Sequence, residues 1–317
     1  MEFPTPPPAP SAAEVEAHYA ATKNWGRWGD DDERGALNLL TESHRAAWAA
    51  LVQQGRTVSL AHDLPVTPSP ETPSPAHHHM LASGDARDSN GIAGYEASRD
   101  YVGTDVHGMG VTHVDALCHM FIRGEMYNGR PAAQVKSTGS EANTIMALAD
   151  GLSGRGVFLD VPRAFGLAHL PGNTALGVAH LEATEAELGV QVREGDILVV
   201  GTGRDARKAE TGRLDPFRDG LAGLHAECLP WLHDRGVAVL GSDGISDPTP
   251  GLGIPDWPFP VHQVGIVGMG LHLIDNLALS DLAEACAETG RWEFFFTLAP
   301  LRVVGGTGCP VNPVAVL

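Results

Sequence analysis

From residue 156 to residue 301 the chain alternates short apolar runs with longer segments of helical character. The runs at 156–161 (GVFLDV) and 196–201 (DILVVG) have the length and apolar content of buried strands. The helical segment at 177–189 ends at a glycine, which is typical of a helix C-terminus. Because strands that alternate with helices favour a sheet covered by helices, we predict an α/β fold. We expect its mixed sheet to curl into a barrel-like core with the helices outside.

The same patterns predict the remaining organisation. Strands are expected at 57–64, 237–240 and 292–301, helices at 11–20, 41–54, 223–235 and 281–290, and either type at 264–273. Residues 65–76 hold five prolines without periodicity and predict a surface loop, to which we also assign the histidines at 77–79. Residues 1–12, rich in proline and alanine, predict a weakly ordered tail. We expect one compact domain over 56–317, with an N-terminal extension over 1–55 whose helices pack on it.

The charge balance argues against several kinds of partner. The chain has 39 acidic and 21 basic residues, a formal net charge of −18 and no basic run, which disfavours nucleic acid and anionic membranes. No apolar stretch approaches the roughly 20 residues that span a bilayer, and the first residues lack the features of a signal peptide. We therefore expect a cytoplasmic protein. The four cysteines form no CxxC pair, which predicts reduced, separately buried thiols.

The densest group of chemically active side chains lies between His107 and His119. His113 and Asp115 are two residues apart, so an extended backbone points both side chains the same way. His119 follows four residues later and comes alongside them in a turn, whereas His107 lies across two flexible glycines. Neutral imidazole and carboxylate bind Zn²⁺, Mn²⁺ or Fe²⁺, and a histidine also serves as a general base. The segment therefore predicts a metal site or an acid–base site.

A second candidate cluster lies far downstream. His262 follows a proline-containing turn, and Asp275 lies in the apolar run LIDNL. A carboxylate in such a run is costly to bury unless it binds a cation or accepts hydrogen bonds. We therefore expect His262 and Asp275 to be functional, whereas His272 in the same run is expected to be a structural residue.

Five segments, in the same order along the chain, resemble the "putative cyclase" family of metal-dependent hydrolases. That family includes bacterial kynurenine formamidase (arylformamidase) and isatin hydrolase, and its signature reads HxGTHxDxPxH. The matching segments are THVDALCH at 112–119, GDIL with TG at 195–203, GSD at 241–243, PVH with IDNL at 260–277, and APL with GCPV at 299–311. The motif NWGRWG at 24–29 resembles a larger bacterial subgroup.

The resemblance implies a role for each residue of the two clusters. His113 and Asp115 would bind a divalent metal, Zn or Mn, and His119 would transfer protons. His262 would join a second metal position, in which Asp275 replaces the family's glutamate. The resemblance also implies a small, aromatic substrate, a homodimer or other homo-oligomer, and a link to tryptophan catabolism.

Two departures from the signature bear on the metal. The position of the family's first histidine is Met109, and a thioether is a poor ligand for hard divalent ions, so His107 would have to supply that imidazole. Asp275 is also one methylene shorter than the glutamate it replaces. The departures favour one ion over two. They also leave open a metal-free hydrolase in which His119 and Asp115 activate water directly.

We therefore predict a hydrolase that cleaves the C–N bond of an amide, an aryl formamide or a cyclic amide. Metal-activated water would attack the carbonyl, with His119 as acid and base. A stacking wall for the substrate ring is predicted from four aromatic residues, Trp25, Trp28, Phe121 and Tyr127. The alternatives are a cyclase or dehydratase of polyketide-type secondary metabolism and a non-catalytic binding protein. No GxSxG motif or dinucleotide fingerprint supports a serine hydrolase or an NAD enzyme.

Overall fold

The computed structural model describes residues 2–87 and 91–317. Its strands are Thr57–Ser59 (β1), His77–Ala82 (β2), Arg99–Gly103 (β3), His113–Asp115 (β4), Glu125–Met126 (β5), Arg130–Pro131 (β6), Val135–Lys136 (β7), Gly139–Ser140 (β8), Leu152–Asp160 (β9), Ala175–Leu176 (β10), Ile197–Gly201 (β11), Gly223–Leu224 (β12), Val239–Ser242 (β13), His272–Asp275 (β14), Glu293–Leu298 (β15), Gly308–Pro310 (β16) and Val314–Val316 (β17). Its α-helices are Ala12–Ala21 (α1), Glu42–Trp48 (α2), Val161–Ala164 (α3), Val178–Leu188 (α4), Arg204–Thr211 (α5), Cys228–Asp234 (α6), Pro260–His262 (α7) and Ser280–Thr289 (α8). A π-helix follows α7 at Gln263–Met269, and 3₁₀ turns lie at Gly35–Leu39, Ala49–Leu51, Tyr127–Gly129, Ala132–Gln134 and Ile145–Leu148.

Nine strands form one mixed sheet that curls into a half-barrel, in the order β1-β17-β15-β9-β11-β13-β14-β4-β16. The four central strands, β9, β11, β13 and β14, run parallel, and antiparallel pairs continue the sheet at both sides. Helices α2 and α4 contact β9. The predicted fold class, a single α/β domain with a curled mixed sheet and helices, is confirmed.

Alternate residues of the central strands belong to two hydrophobic cores, one on each face of the sheet. On β9, Val157 and Leu159 belong to the same core as Leu198 of β11. Phe158, which lies between them, belongs to the other core together with Val199. Strands that are buried on both faces have no polar side, which explains why the sequence shows continuous apolar runs rather than alternation.

The clearest helix predictions are confirmed at their ends. Helix α1 begins after Ser11, whose side chain accepts from the backbone N–H of Glu14 while the Glu14 carboxylate accepts from the Ser11 N–H. Helix α4 ends at Gly189, which has a φ of 67°. Glycine adopts the left-handed conformation at a helix end at a lower steric cost than other residues, because it has no Cβ atom.

Several elements are shorter than the local pattern predicts. The helix expected at 223–235 begins only at Cys228, because Gly223 and its neighbour pair with β10 as strand β12. The helix expected at 41–54 changes to a 3₁₀ turn after Trp48, and the strand expected at 57–64 is only three residues long. The ambiguous run at 264–273 is divided between the π-helix and β14.

The expected loop at 65–76 contains no helix or strand and is mostly exposed, but the assignment of the histidines at 77–79 to this loop is wrong. The histidines at 77–79 lie in strand β2, which pairs with β3, and cross-strand backbone hydrogen bonds stabilise this exposed hairpin. Within 65–76, predicted to be at the surface, Glu71 and Thr72 are buried. Both features depend on contacts with distant parts of the chain, which a local pattern does not encode.

The N-terminal tail, predicted to be weakly ordered, makes defined contacts with the domain. Phe3 packs against the ring of His180 with a centroid distance of 4.6 Å. The Nε2 of the same histidine lies 2.9 Å from the carbonyl of Pro4, and the Nε2 of His225 lies 3.0 Å from the carbonyl of Pro8. Two buried histidines therefore hold the tail.

The four cysteines are free and buried, as predicted. Within residues 2–87 and 91–317, no helix is both long and apolar enough to cross a membrane. The division into an extension over 1–55 and a domain over 56–317 stays a prediction.

Candidate metal centre and active site

Strands β4 and β14 place three side chains of the site. His113 and Asp115 lie two residues apart on β4, and the strand's period of two puts both side chains on one face. The antiparallel register pairs Asp275, the last residue of β14, with His113. His262 ends α7 and faces the same point. His113 and Asp275, 162 positions apart in the sequence, are thereby brought within 3.9 Å of each other.

Imidazole nitrogens and carboxylate oxygens converge in the centre of this group. The Nδ1 of His107 lies 2.8 Å from Oδ1 of Asp115, and the Nε2 of His113 lies 3.4 Å from the same oxygen. The Nε2 of His262 lies 3.2 Å from Oδ2 of Asp275 and 3.7 Å from Oδ2 of Asp115. Two possible ligand sets share Asp115, and the ligand atoms of each lie within 4.8 Å of one another. The structure therefore brings together all five residues predicted as metal ligands.

The Nδ1 atoms of two histidines, which point away from the centre, donate hydrogen bonds to fixed acceptors. The Nδ1 of His113 donates to the carbonyl of Val111 at 2.7 Å. The Nδ1 of His262 donates to Oδ2 of Asp247 at 2.8 Å. In a neutral imidazole with Nδ1 protonated, Nε2 carries a lone pair, and in both residues Nε2 points inward. This is the arrangement by which proteins orient a metal-binding histidine.

Asp247 is a residue of the candidate site that the sequence analysis missed. Its carboxylate accepts from the backbone N–H groups of Val261 and His262 at 2.8 and 2.9 Å, in addition to the His262 ring. It follows Ser246, whose φ of 63° is left-handed and rare for serine. The run SDGISD after a predicted strand was the available signal, although nothing in it identifies Asp247 as the partner of His262.

Most of the carboxylate oxygens that face the centre lack a well-formed hydrogen bond. Among the described residues, both carboxylate oxygens of Asp115 and Oδ1 of Asp275 are buried and lack a well-formed hydrogen bond. The Nδ1 of His107 also lacks one, while its Nε2 lies 2.9 Å from the hydroxyl of Thr307. A buried cluster of acceptors is unfavourable unless a cation or protons lie between them. The donor set of imidazoles and carboxylates fits a divalent cation such as Zn²⁺ or Mn²⁺.

In the metal-free protein, protons compensate the two carboxylates. Burial opposes protonation of His113, but the hydrogen bond and charge of Asp115 outweigh it and raise the pKa of His113 to about 9. Burial also opposes protonation of His262, and the charges of Asp275 and Asp247 raise its pKa well above the usual value. Burial raises the pKa of Asp115, but the neighbouring histidines keep it well below the usual range.

His119 has the opposite electrostatic character. Its ring stacks on His107, with 3.7 Å between the centroids and 8° between the planes. Burial lowers the pKa of His119 to about 4, although the charge of Asp115 acts in the other direction. His119 is therefore neutral at pH 7 and able to accept a proton, which separates it chemically from the histidines of the centre.

A cavity of about 150 Å³ opens beside the cluster. Its apolar walls come from Met109, Met120, Ile245 and Phe259, and its polar lining from His107, Gly108, His113, His119, His262 and Asp275. Apolar walls with a few convergent polar groups are typical of sites for organic ligands, and the volume is below the roughly 300–1,000 Å³ of sites for drug-sized ligands.

The predicted aromatic residues lie outside this lining. The indole of Trp25 donates to a backbone carbonyl at 2.7 Å, and Tyr127 is buried with its hydroxyl donating to Asp32 at 2.9 Å. Phe121 is 41% exposed, and Trp28 contacts the guanidinium of a neighbouring arginine. Their proposed role in substrate stacking stays a prediction.

His272, expected to be structural, lies buried on β14 with its Nδ1 donating to the backbone carbonyl of Asp115 at 2.8 Å. Burial lowers its pKa to about 4, so the ring is neutral. It therefore supports the backbone of a candidate ligand and does not belong to either ligand set.

The fold and the site define an α/β half-barrel protein with a histidine–carboxylate centre. The chain belongs to the family described as "Putative cyclase", whose model matches residues 34–247. A crystal structure of a novel cyclase is 32% identical, with a TM-score of 0.85 over 94% of this chain and 99% of that chain.

More distant proteins share the fold or part of the sequence. An isatin hydrolase bound to the product analogue thioisatinate is 20% identical, with a TM-score of 0.60 over 87% of this chain and 98% of that chain. Isatin hydrolase A from Ralstonia solanacearum is 22% identical, with a TM-score of 0.60 over 85% and 95%. A kynurenine formamidase from Bacillus cereus (strain ATCC 10987 / NRS 248) is 28% identical over 109 residues, or 34% of this chain. That match spans 46% of the formamidase, less than half of its length.

Proposed function

We propose that this protein is a divalent-metal-dependent hydrolase that cleaves the C–N bond of an amide, a formamide or a cyclic amide. The observation that carries the proposal is the convergence of inward-facing imidazole nitrogens on two buried carboxylates, Asp115 and Asp275, three of whose four oxygens lack a well-formed hydrogen bond. The similar proteins support the reaction class, since one is named for a formamide and isatin is itself a cyclic amide.

In this proposal, His107, His113 and Asp115 hold one cation, and Asp115 is shared with a second set formed with His262 and Asp275. His107 supplies the imidazole that Met109 lacks. A bound divalent cation supplies a Lewis acid for the carbonyl and lowers the pKa of its water from 15.7 toward roughly 7. The cluster's own hydrogen bonds hold the ligands in place before the cation arrives.

His119 would carry the proton during the reaction. Its low pKa leaves it neutral at pH 7, so it can accept a proton from water and later return it to the departing nitrogen. The negative charge of Asp115 favours the imidazolium that forms in between. The stacked ring of His107 fixes the orientation of His119. The cavity walls of Met120 and Phe259 would contact an apolar ring of the substrate.

Three alanine variants test this division of roles. His113→Ala and Asp115→Ala should lose both metal and the hydrolysis of N-formylkynurenine and isatin, because both residues would be ligands. His119→Ala should lose activity and keep its metal, since it would only move a proton. Metal content by elemental analysis and substrate turnover give the two readouts.

A buried histidine away from the centre provides the control. His180→Asn alters an imidazole that contacts the N-terminal tail and should keep both metal and activity. Equal metal loss in all three alanine variants would place His119 among the ligands. Unchanged turnover in His119→Ala would exclude it as the proton carrier.

A further inference from the structure

We infer that Glu71 and Arg204 are positioning residues that fix the loop at 107–111, and through it the candidate metal ligand His107. The inference rests on the metal site of the proposed function. It gives the proline-rich segment at 65–76 a role in that site, although the segment contributes no ligand.

The loop at 107–111 has little intrinsic rigidity. It contains Gly108, with a φ of 144°, and Gly110, so its backbone is freer than that of most residues. His107 is two residues away from Met109, where the family signature carries a histidine. Its ring must therefore be brought to Asp115 by the conformation of this loop.

Two side chains hold the backbone carbonyls of the loop. The Nδ2 of Asn276 donates to the carbonyls of Gly108 at 2.8 Å and of Val111 at 3.0 Å. The Nη2 of Arg204 donates to the carbonyl of Met109. The two side chains are themselves joined, because Nη1 of Arg204 donates to Oδ1 of Asn276 at 2.6 Å. Three of the five backbone carbonyls in the loop therefore accept hydrogen bonds from Asn276 or Arg204, and these two side chains are hydrogen-bonded to each other.

Arg204 is fixed in turn by an acidic residue from the proline-rich segment. Arg204 is 6% exposed and donates to Oε1 of Glu71 at 2.8 Å and to the carbonyl of Asp243 at 2.9 Å. Glu71 is 8% exposed and is also paired with Lys208. Removing one partner of such a buried pair leaves the other charge uncompensated. The position of the guanidinium therefore depends on Glu71.

The same segment touches the loop directly. A Cβ built on Gly110 would lie 1.8 Å from the hydroxyl oxygen of Thr72 and 3.2 Å from the carbonyl of Glu71. The absence of a side chain at Gly110 allows this close approach. The segment thus supports the loop by packing and, through Glu71 and Arg204, by hydrogen bonds.

The test is the zinc affinity of metal-free protein, measured by competition with a chromophoric chelator. Arg204→Lys keeps the charge but loses the planar fork that reaches several acceptors, and Glu71→Gln removes the ion pair with little change of shape. Both should weaken zinc binding by about 10- to 100-fold, the usual effect of disturbing groups behind the metal ligands.

Arg155→Lys is the matched control. Arg155 is equally buried and paired with Asp196 and Glu293, but it lies on β9, four strands away from β4. This control should keep the affinity of the wild type.

A double-variant comparison shows whether the effect passes through His107. In the His107→Ala background, Arg204→Lys and Glu71→Gln should weaken zinc binding much less than in the wild type. Equal weakening in both backgrounds, or unchanged affinity of both single variants, would overturn the inference. Thermal unfolding of the metal-free proteins verifies folding, and if Arg204→Lys does not fold, the Glu71→Gln pair decides. A wild type that binds no zinc would refute the proposed function itself, an outcome distinct from a wild type and variants that bind equally.

Discussion

Binding of a divalent cation to the metal-free protein should expel protons at neutral pH. His113 and His262 face Asp115 and Asp275, and these carboxylates raise the pKa of both histidines, to about 9 for His113. A cation needs the Nε2 lone pair that the proton occupies, so each histidine must lose its proton when it becomes a ligand.

The size of the effect follows from the pKa of His113. At pH 7 a group with a pKa of about 9 is about 99% protonated, whereas a histidine at its usual value is about one-quarter protonated. We therefore expect release of about one proton per cation bound at pH 7, from His113 in the first ligand set or from His262 in the second. Proton competition at His113 alone should weaken the apparent metal affinity by about 100-fold at pH 7 relative to a pH above 9, or about 2.7 kcal/mol.

Isothermal titration calorimetry measures this proton release. Zn²⁺ is titrated into metal-free protein at pH 7 in buffers that differ in ionisation enthalpy, and the dependence of the observed heat on that enthalpy gives the number of protons. Asp247→Asn should reduce the release, because Asp247 helps to raise the pKa of His262. His180→Asn should leave it unchanged. Release of less than about half a proton by the wild type would refute the assigned protonation of the centre.

Further predictions concern the ligands and the acid sensitivity of the fold. Asp247→Ala should weaken Zn²⁺ affinity by about 10- to 100-fold, because the Nδ1 of a ligand loses its acceptor; an unchanged dissociation constant would exclude this role. His107→Ala should lower metal content after dialysis, whereas Met109→His should change it little; the reverse result would return the ligand position to residue 109. Burial lowers the pKa of His180 and of His225, so each binds a proton less tightly in the folded state than in the unfolded state. The stability they contribute is full above pH 6.5 and is lost as the pH falls below it, so urea unfolding should show a decrease toward pH 5 that is shallower in His180→Asn.

The convergence of His113 and Asp115 could be predicted from the sequence because a strand's period of two is a local property. The buried strands around Phe158 and Val199 could be predicted for the same reason, since their apolar runs leave few alternatives. The pairing of Asp275 with His113 depends on strand register between distant segments. It was available only through the resemblance of the LIDNL segment to a known family.

Other features could not be predicted because they arise from tertiary contacts. Asp247 reaches His262 only through the left-handed turn at Ser246 and the start of α7. Glu71 lies in a segment whose composition is that of a surface loop, and its burial depends on Arg204, 133 residues further along the chain. Local patterns describe neither the turn nor the buried ion pair.

The central claim is that the histidine–carboxylate cluster holds a divalent cation that the reaction requires. The most direct measurement is the rate at which one sample hydrolyses N-formylkynurenine and isatin before chelation, after removal of metal, and after addition of Zn²⁺ or Mn²⁺. We predict that hydrolysis of at least one of the two substrates is lost with the metal and returns with the added ion. Undiminished hydrolysis by protein shown to be free of metal would contradict it.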